Sequence, residues 1–419
     1  MWKGAHLRHS LLNLGGAAIP ILIGLPCLGV LARTLGPGSL SVFLLILALV
    51  GYAGVLDMGI SRAVVALVAE RADDREARLR VLSTALLTVS AVGVAVSLLL
   101  LVAAGPLVTG VLGLDGPDAL DAIAGFRLTA LTILPLLIFL CAQGYLDGTQ
   151  QFAEANLQRA ISGSLPILTA TVAAVISVSV AGTMAGFLVG RLISLAVVMI
   201  RRDFWRLLSI RMLDRETLHR LVGFGSWVTV SGIVSPVMGY LDRFILAAAR
   251  GSAVVSFYAA PAEAVFRLLV IPTAITRSLF PKLSQPADHA ARRDVIRQTY
   301  VMLLVASLPA VAIGLIWAPQ ILDLWLGPDF RQGSTTVLRI LMVGFLAGGL
   351  AQIPLTRLLA ASRPDTVAIL HLCQLLPFLA IAYQLGLVYG AAGAAAAWSL
   401  RNIIDLALLS FFARRQAPL

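Results

Sequence analysis

Several charged residues lie inside stretches otherwise too apolar for them: Asp57, Arg191, Asp242 with Arg243, Glu263 with Arg267, and Arg401 with Asp405. A charge at the centre of a bilayer costs about 2.5–3.5 kcal/mol on insertion scales, so each must face protein, water or a ligand. Glu263 and Arg267 stand four residues apart, as do Arg401 and Asp405. On a helix that spacing puts both partners on one face, where they neutralise each other or serve transport. Arg191 has no acidic residue within a turn, and Gly186 and Gly190 beside it leave room for something bulky. A guanidinium offers paired donors that match phosphate oxygens. Arg191, Arg401 and Arg267 are therefore the candidate substrate-binding residues. The competing expectation for Arg191 is a carboxylate or backbone carbonyl from another helix. Desolvation favours the neutral form of a carboxylate, so Glu263 and Asp57 are the candidate ion-coupling residues.

Other chemistries lack their motifs. The chain has no Gly-x-x-x-x-Gly-Lys-[Ser/Thr] phosphate loop, no His-Glu-x-x-His and no Gly-x-Ser-x-Gly. No cofactor and no metal are expected, and no catalytic residue is assigned. Cys27, Cys141 and Cys373 fall in apolar runs without ligand spacing and read as small core residues. His371 is the one histidine in an apolar run and reads as a helix-packing donor.

The elements that hold these residues are membrane helices. Apolar residues make up 59% of the 419, charged residues 13%, and mean hydropathy is +0.93. A soluble chain carries about 25% charged residues. The fold expected is an all-α polytopic membrane protein of about twelve spans. They run over 11–32, 38–62, 81–104, 122–145, 157–180, 184–200, 221–247, 253–280, 298–317, 335–360, 366–387 and 390–412. Two short apolar pieces, at 107–114 and 319–327, do not cross. The net charge of +11 sits in clusters between runs, at Arg71 to Arg80, Arg201 to Arg220 and Lys282 to Arg297 among others. With twelve spans these clusters share one side, so both termini are cytoplasmic and no nucleic acid is bound. Residues 201–220 mix aromatic and basic side chains, as suits a helix on the inner leaflet or a solvated linker.

The two halves resemble each other. Leu31 to Arg62 aligns with Leu246 to Arg277 at a constant shift of 246 − 31 = 215. Gly36 meets Gly251, Ser41 meets Ser256, and Arg62 meets Arg277; further on, Leu112-Gly113 meets Leu326-Gly327 and Arg191 meets Arg401. A duplication predicts a six-helix bundle over 1–200, a cytoplasmic basic linker over 201–220 and a second six-helix bundle over 221–419. Parallel repeats imply a pseudo-twofold axis along the membrane normal, with the substrate between the halves.

Leu31 to Phe43 (LARTLGPGSLSVF), Leu56-Asp57-Met58-Gly59, Asp242-Arg243-Phe244-Ile245-Leu246, Phe280-Pro281-Lys282-Leu283 and Leu322 to Phe330 (LDLWLGPDF) resemble the polysaccharide-type, Wzx-like oligosaccharide flippases of the multidrug/oligosaccharidyl-lipid/polysaccharide exporter superfamily. The resemblance implies two six-helix bundles around a central cationic cavity. It implies transport of an undecaprenyl-pyrophosphate-linked oligosaccharide from the cytoplasmic to the periplasmic leaflet of a bacterial inner membrane, by alternating access. The partners it implies are that lipid-linked substrate, membrane lipids, and polysaccharide polymerase and chain-length proteins. The alternatives are a multidrug or small-cation antiporter of the same fold, a lipid II flippase-like exporter, and a membrane glycosyltransferase or polymerase. The antiporter needs an acidic cavity, whereas arginines outnumber acids in the spans. The glycosyltransferase needs a long outer loop with paired carboxylates, and no outer loop is long.

Overall fold

In a computed structural model, residues 2–57, 59–71, 73–201, 204, 214–277, 279–284, 289–361 and 363–416 are described. They form α1 (Trp2–Leu56), α2 (Ile60–Glu70), α3 (Arg75–Pro106), α4 (Gly116–Gly148), α5 (Phe152–Ser177), α6 (Val180–Arg201) and α7 (Arg215–Arg250). Then follow α8 (Val255–Leu268), α9 (Val270–Arg277), α10 (Leu279–Ser284), α11 (His289–Ile316), α12 (Ala318–Trp325), α13 (Pro328–Ala360) and α14 (Pro364–Gln416). No strand occurs among the described residues.

Nine helices among the described residues are long and apolar enough to cross a membrane. Two of them hold two arms each. α1 bends at Gly36 (φ 70°, ψ 171°) and α14 at Gly390 (φ 57°, ψ −130°). Pro37 directly follows the first bend, where its fixed φ suits the start of the next arm and its missing N–H costs nothing. With α7, the arms come to the twelve crossings expected. The helices present large apolar side chains outward: Val102 and Ile176 are each 79% exposed and Leu376 73%. Such faces need a hydrocarbon solvent.

The chain divides into two compact units, Met1–Tyr240 and Leu241–Leu419, with the boundary inside α7. In the first, α4 packs on α2, α3 and α6, while α5 packs on α1 and α6. In the second, α13 is the centre, touching α8, α11, α12 and α14. The short apolar pieces become a π-helical turn at Leu107–Val111 and the helix α12.

Two expected spans are broken. The second stops at Leu56 and restarts at Ile60, with Gly59 as N-cap in the left-handed region (φ 66°, ψ 8°). Asp57 ties across the break, its Oδ2 accepting from the Ser61 N–H and its Oδ1 from the Ser61 hydroxyl, both at 3.0 Å. The eighth is divided into α8, α9 and α10. Of the basic linker, residues 202–203 and 205–213 lie outside the described residues, so the expectation of a leaflet-bound helix there does too. Phe204 is buried in a T-shaped contact with the Tyr145 ring, 5.4 Å between centroids.

The backbone carries its own trace of the repeat. Gly36 (φ 70°, ψ 171°) and Gly251 (φ 85°, ψ 162°), matched by the shift of 215, share a conformation essentially restricted to glycine. Gly113 and Gly327, matched by the later alignment, also have positive φ, 62° and 111°.

Candidate functional site

In the first unit Arg191 sits on α6 and is 8% exposed. Its Nη1 donates to the Ser162 hydroxyl of α5 at 2.8 Å and to the Ser162 carbonyl at 3.5 Å. Its guanidinium lies 5.4 Å from the centre of the Phe187 ring, one turn back on its own helix. Its Nε is buried without an acceptor, and no carboxylate among the described residues pairs with it. The partner from another helix is thus Ser162, through its hydroxyl and its backbone carbonyl, the second of which the competing expectation allowed; among the described residues no carboxylate offsets the positive charge.

The room expected beside Arg191 is absent. A Cβ on Gly190 would lie 2.6 Å from Pro166 Cα, and one on Gly186 would collide with the Thr169 carbonyl. The two glycines let α5 and α6 approach closely, the usual role of small residues spaced four apart in membrane helices. They make no space for a ligand.

Asp57, on the break between α1 and α2, is 5% exposed, and among the described residues its oxygens meet Ser61 within hydrogen-bond distance.

The second unit holds a larger charged cluster. Asp242 and Arg243, at 1% and 0% exposure, belong to the core. Arg243 Nη2 donates to Glu263 Oε1 at 2.6 Å, from α7 to α8. Arg267 Nη1 meets Glu263 Oε2 at 3.0 Å, the expected pair within α8. Tyr258 donates its hydroxyl to Asp242. Both oxygens of Glu263 are therefore held by guanidiniums.

Arg401 and Asp405 do not pair. Asp405 Oδ1 instead accepts from Gln374 at 3.0 Å and faces His371 Nε2 at 3.4 Å. Arg401 makes no hydrogen bond to a described residue, and its guanidinium lies 5.6 Å from the Phe378 ring centre. Cys373 is exposed, unlike buried Cys27 and Cys141, so the expectation of three core cysteines fails at one. No group of three or more metal-ligating side chains occurs among the described residues.

Tyr258, Ser162, Gln374 and the Arg243–Glu263 pair went unread in the sequence because each acts across helices. A local pattern did exist for the aromatic partner of Arg191: Phe187 precedes it by four residues. Chemically, the described residues offer buried guanidiniums able to bind an anion and buried carboxylates able to bind a proton or cation.

The polysaccharide biosynthesis protein family matches residues 8–286, well over half of the chain. The chain belongs to this family. A Shigella flexneri protein named as a candidate O-antigen transporter is 34% identical over 414 residues, covering 98% of each chain. Among solved structures, an inward-facing multidrug-resistance MATE-family transporter of the MOP superfamily is similar with TM-score 0.78 at 17% identity, over 97% of this chain and 98% of that one. The lipid II flippase MurJ in an inward closed conformation has TM-score 0.78 at 16% identity, over 97% and 87%. These structures establish the fold: the protein shares their all-helical, multi-pass architecture.

Proposed function

We propose that the protein is a flippase. It carries a lipid-linked, undecaprenyl-pyrophosphate-borne oligosaccharide from the cytoplasmic to the periplasmic leaflet of a bacterial inner membrane, by alternating access, for surface polysaccharide assembly. The observation that supports this most is the end-to-end 34% identity with the Shigella protein named for O-antigen transport. The protein works as a transporter rather than an enzyme, on a lipid-linked oligosaccharide supplied from the cytoplasmic side. Polymerase and chain-length proteins receive the product. Two six-helix halves, 1–200 and 221–419 joined by 201–220, and both termini in the cytoplasm complete the reading.

Within it, Arg191 is the leading substrate contact, because it is buried with a positive charge and no carboxylate partner among the described residues. Arg401 follows, free of hydrogen bonds to described residues. Arg267 is third, since Glu263 already holds it. If an ion drives transport, it binds at Asp57 or Glu263. Asp57 is better placed: its oxygens meet a serine, while both of Glu263's meet arginines.

A deletion strain tests the proposal. Surface polysaccharide is lost, lipid-linked oligosaccharide accumulates in the inner leaflet, and the wild-type gene restores export. Undiminished surface polysaccharide in the deletion strain would overturn it.

A further inference from the structure

A cleft of about 210 Å³ opens between the two arms of α14. Leu370, Pro377, Phe378, Leu400, Ile404 and Leu408 give it an apolar wall, interrupted by Gln374 and Arg401. An engineered apolar cavity of about 150 Å³ holds a benzene molecule. The cleft has space for a short run of branched hydrocarbon. Gln374 is committed to Asp405, and Asp405 to Gln374 and His371. Two polar atoms of the wall stay buried without a partner among the described residues, the Gln374 Oε1, an acceptor, and the Arg401 Nε, a donor, so Arg401 is the group in the wall able to meet an anion.

The depth of Arg401 narrows the choice of ligand. It stands 401 − 390 = 11 residues beyond the bend at Gly390 and 414 − 401 = 13 before Arg414. At 1.5 Å per residue these are about 16 and 20 Å, close to the middle of a hydrocarbon core of about 30 Å. The phosphate of a resident phospholipid stays at the membrane surface. A phosphate reaches the level of Arg401 only on a lipid that is crossing.

We propose that this cleft binds the isoprenoid units next to the phosphate of the translocated lipid, with Arg401 holding that phosphate. The inference rests on the flippase reading and adds to it a binding site for the lipid itself rather than for the sugar. Apolar walls match the branched chain, and the guanidinium matches the phosphate. The cleft thereby selects for a phosphorylated polyprenyl chain whatever glycan it bears.

The test uses the full chain in proteoliposomes and a polyprenyl phosphate carrying a diazirine on the isoprene unit next to the phosphate. After irradiation, labelled peptides are mapped by mass spectrometry. Labelling is expected within 370–381 and 397–408, and unlabelled polyprenyl phosphate competes it away. Arg401→Gln lowers labelling about tenfold or more, the loss expected for a charge-assisted hydrogen bond. Ile404→Trp, which fills the cleft from a position 38% exposed, lowers it with Arg401 intact. Equal labelling of these segments by a diazirine-bearing phosphatidylglycerol or by neutral polyprenol overturns the proposal. So does labelling unchanged in both variants. Oligosaccharide flipping without cleft labelling removes the cleft and leaves the flippase reading intact. Cleft labelling in a protein that flips no oligosaccharide removes the flippase reading and keeps the lipid site.

Discussion

Arg191 and Arg243 are both buried arginines, yet their surroundings predict opposite consequences of removal. Arg243 is fully enclosed and pairs with Glu263 at 2.6 Å. Arg243→Met leaves Glu263 with one guanidinium fewer; breaking a buried pair costs about 3–5 kcal/mol. Thermal unfolding in detergent should show a lower midpoint, and export should fall with abundance. Arg191 has a serine and a phenyl ring but, among the described residues, no carboxylate. Arg191→Ala removes a charge without stranding another, so membrane abundance stays near wild type while glycan export drops at least tenfold. Arg191→Lys recovers only part, because it keeps the charge and loses the fork. Full export by well-expressed Arg191→Ala contradicts the assignment. Pairs within one helix were legible in the sequence, and Glu263–Arg267 forms as its spacing predicts. Arg401–Asp405 has the same spacing but does not close, because Gln374 and His371 reach Asp405 from the other arm of α14. Sequence spacing fixes who can meet along a helix; it carries no record of competitors on a neighbouring one.

At the scale of helices, bends and caps decide the architecture. Gly36 and Gly251 hold torsions that cost any other residue about 1–3 kcal/mol. No atom lies within 4 Å of a Cβ added at either, so the cost is conformational alone. Gly36→Ala and Gly251→Ala should each lower thermal stability by that amount. Gly38→Ala should be nearly silent: it has space and no positive φ, and the shift of 215 places Ala253 opposite it. A second device is the start of α7, where Asp214 accepts from the Thr217 hydroxyl and, at 3.1 Å, from the Thr217 N–H. These bonds hold the Asp214 carboxyl below the usual carboxylate range. A depressed folded-state pKa adds stability above the unfolded value of about 3.9, and that stability is lost as pH falls through the folded value. A spin label at Arg215 should therefore gain mobility only below about pH 4. In Asp214→Asn, which still caps but does not titrate there, mobility should stay flat with pH. The bend at Gly36-Pro37 was readable from its residues. The split of the eighth span into α8, α9 and α10 was not: Arg267 and Pro272 flank the first break and Arg277 ends α9, but α4 carries Arg127 and Pro135 without breaking, so such residues alone do not mark a break. Gly186 and Gly190 were misread as ligand space, because a glycine's missing side chain says nothing of what fills it; here it is the backbone of α5.

For the whole molecule, hydropathy and charge placement carried most of the architecture: the all-helical class and the number of crossings follow from apolar runs and basic loops alone. The partners of the buried charges required coordinates. Topology gives a direct check on the proposed orientation. Reporter fusions after Arg75, Arg220 and Arg293 should signal cytoplasm, and those after Asp118 and Arg331 periplasm. A periplasmic signal at Arg220 would exchange the sides of every later loop. The most direct measurement is flipping itself. Purified protein is placed in liposomes with an undecaprenyl-pyrophosphate-linked oligosaccharide, and the fraction of glycan open to an added membrane-impermeant glycosidase is followed over time. Wild-type protein should expose the inner-leaflet pool without added ATP, with Arg191→Ala at least tenfold slower. An inner pool that stays protected at the rate of protein-free liposomes, with the protein shown to be folded and inserted, would contradict the proposed function.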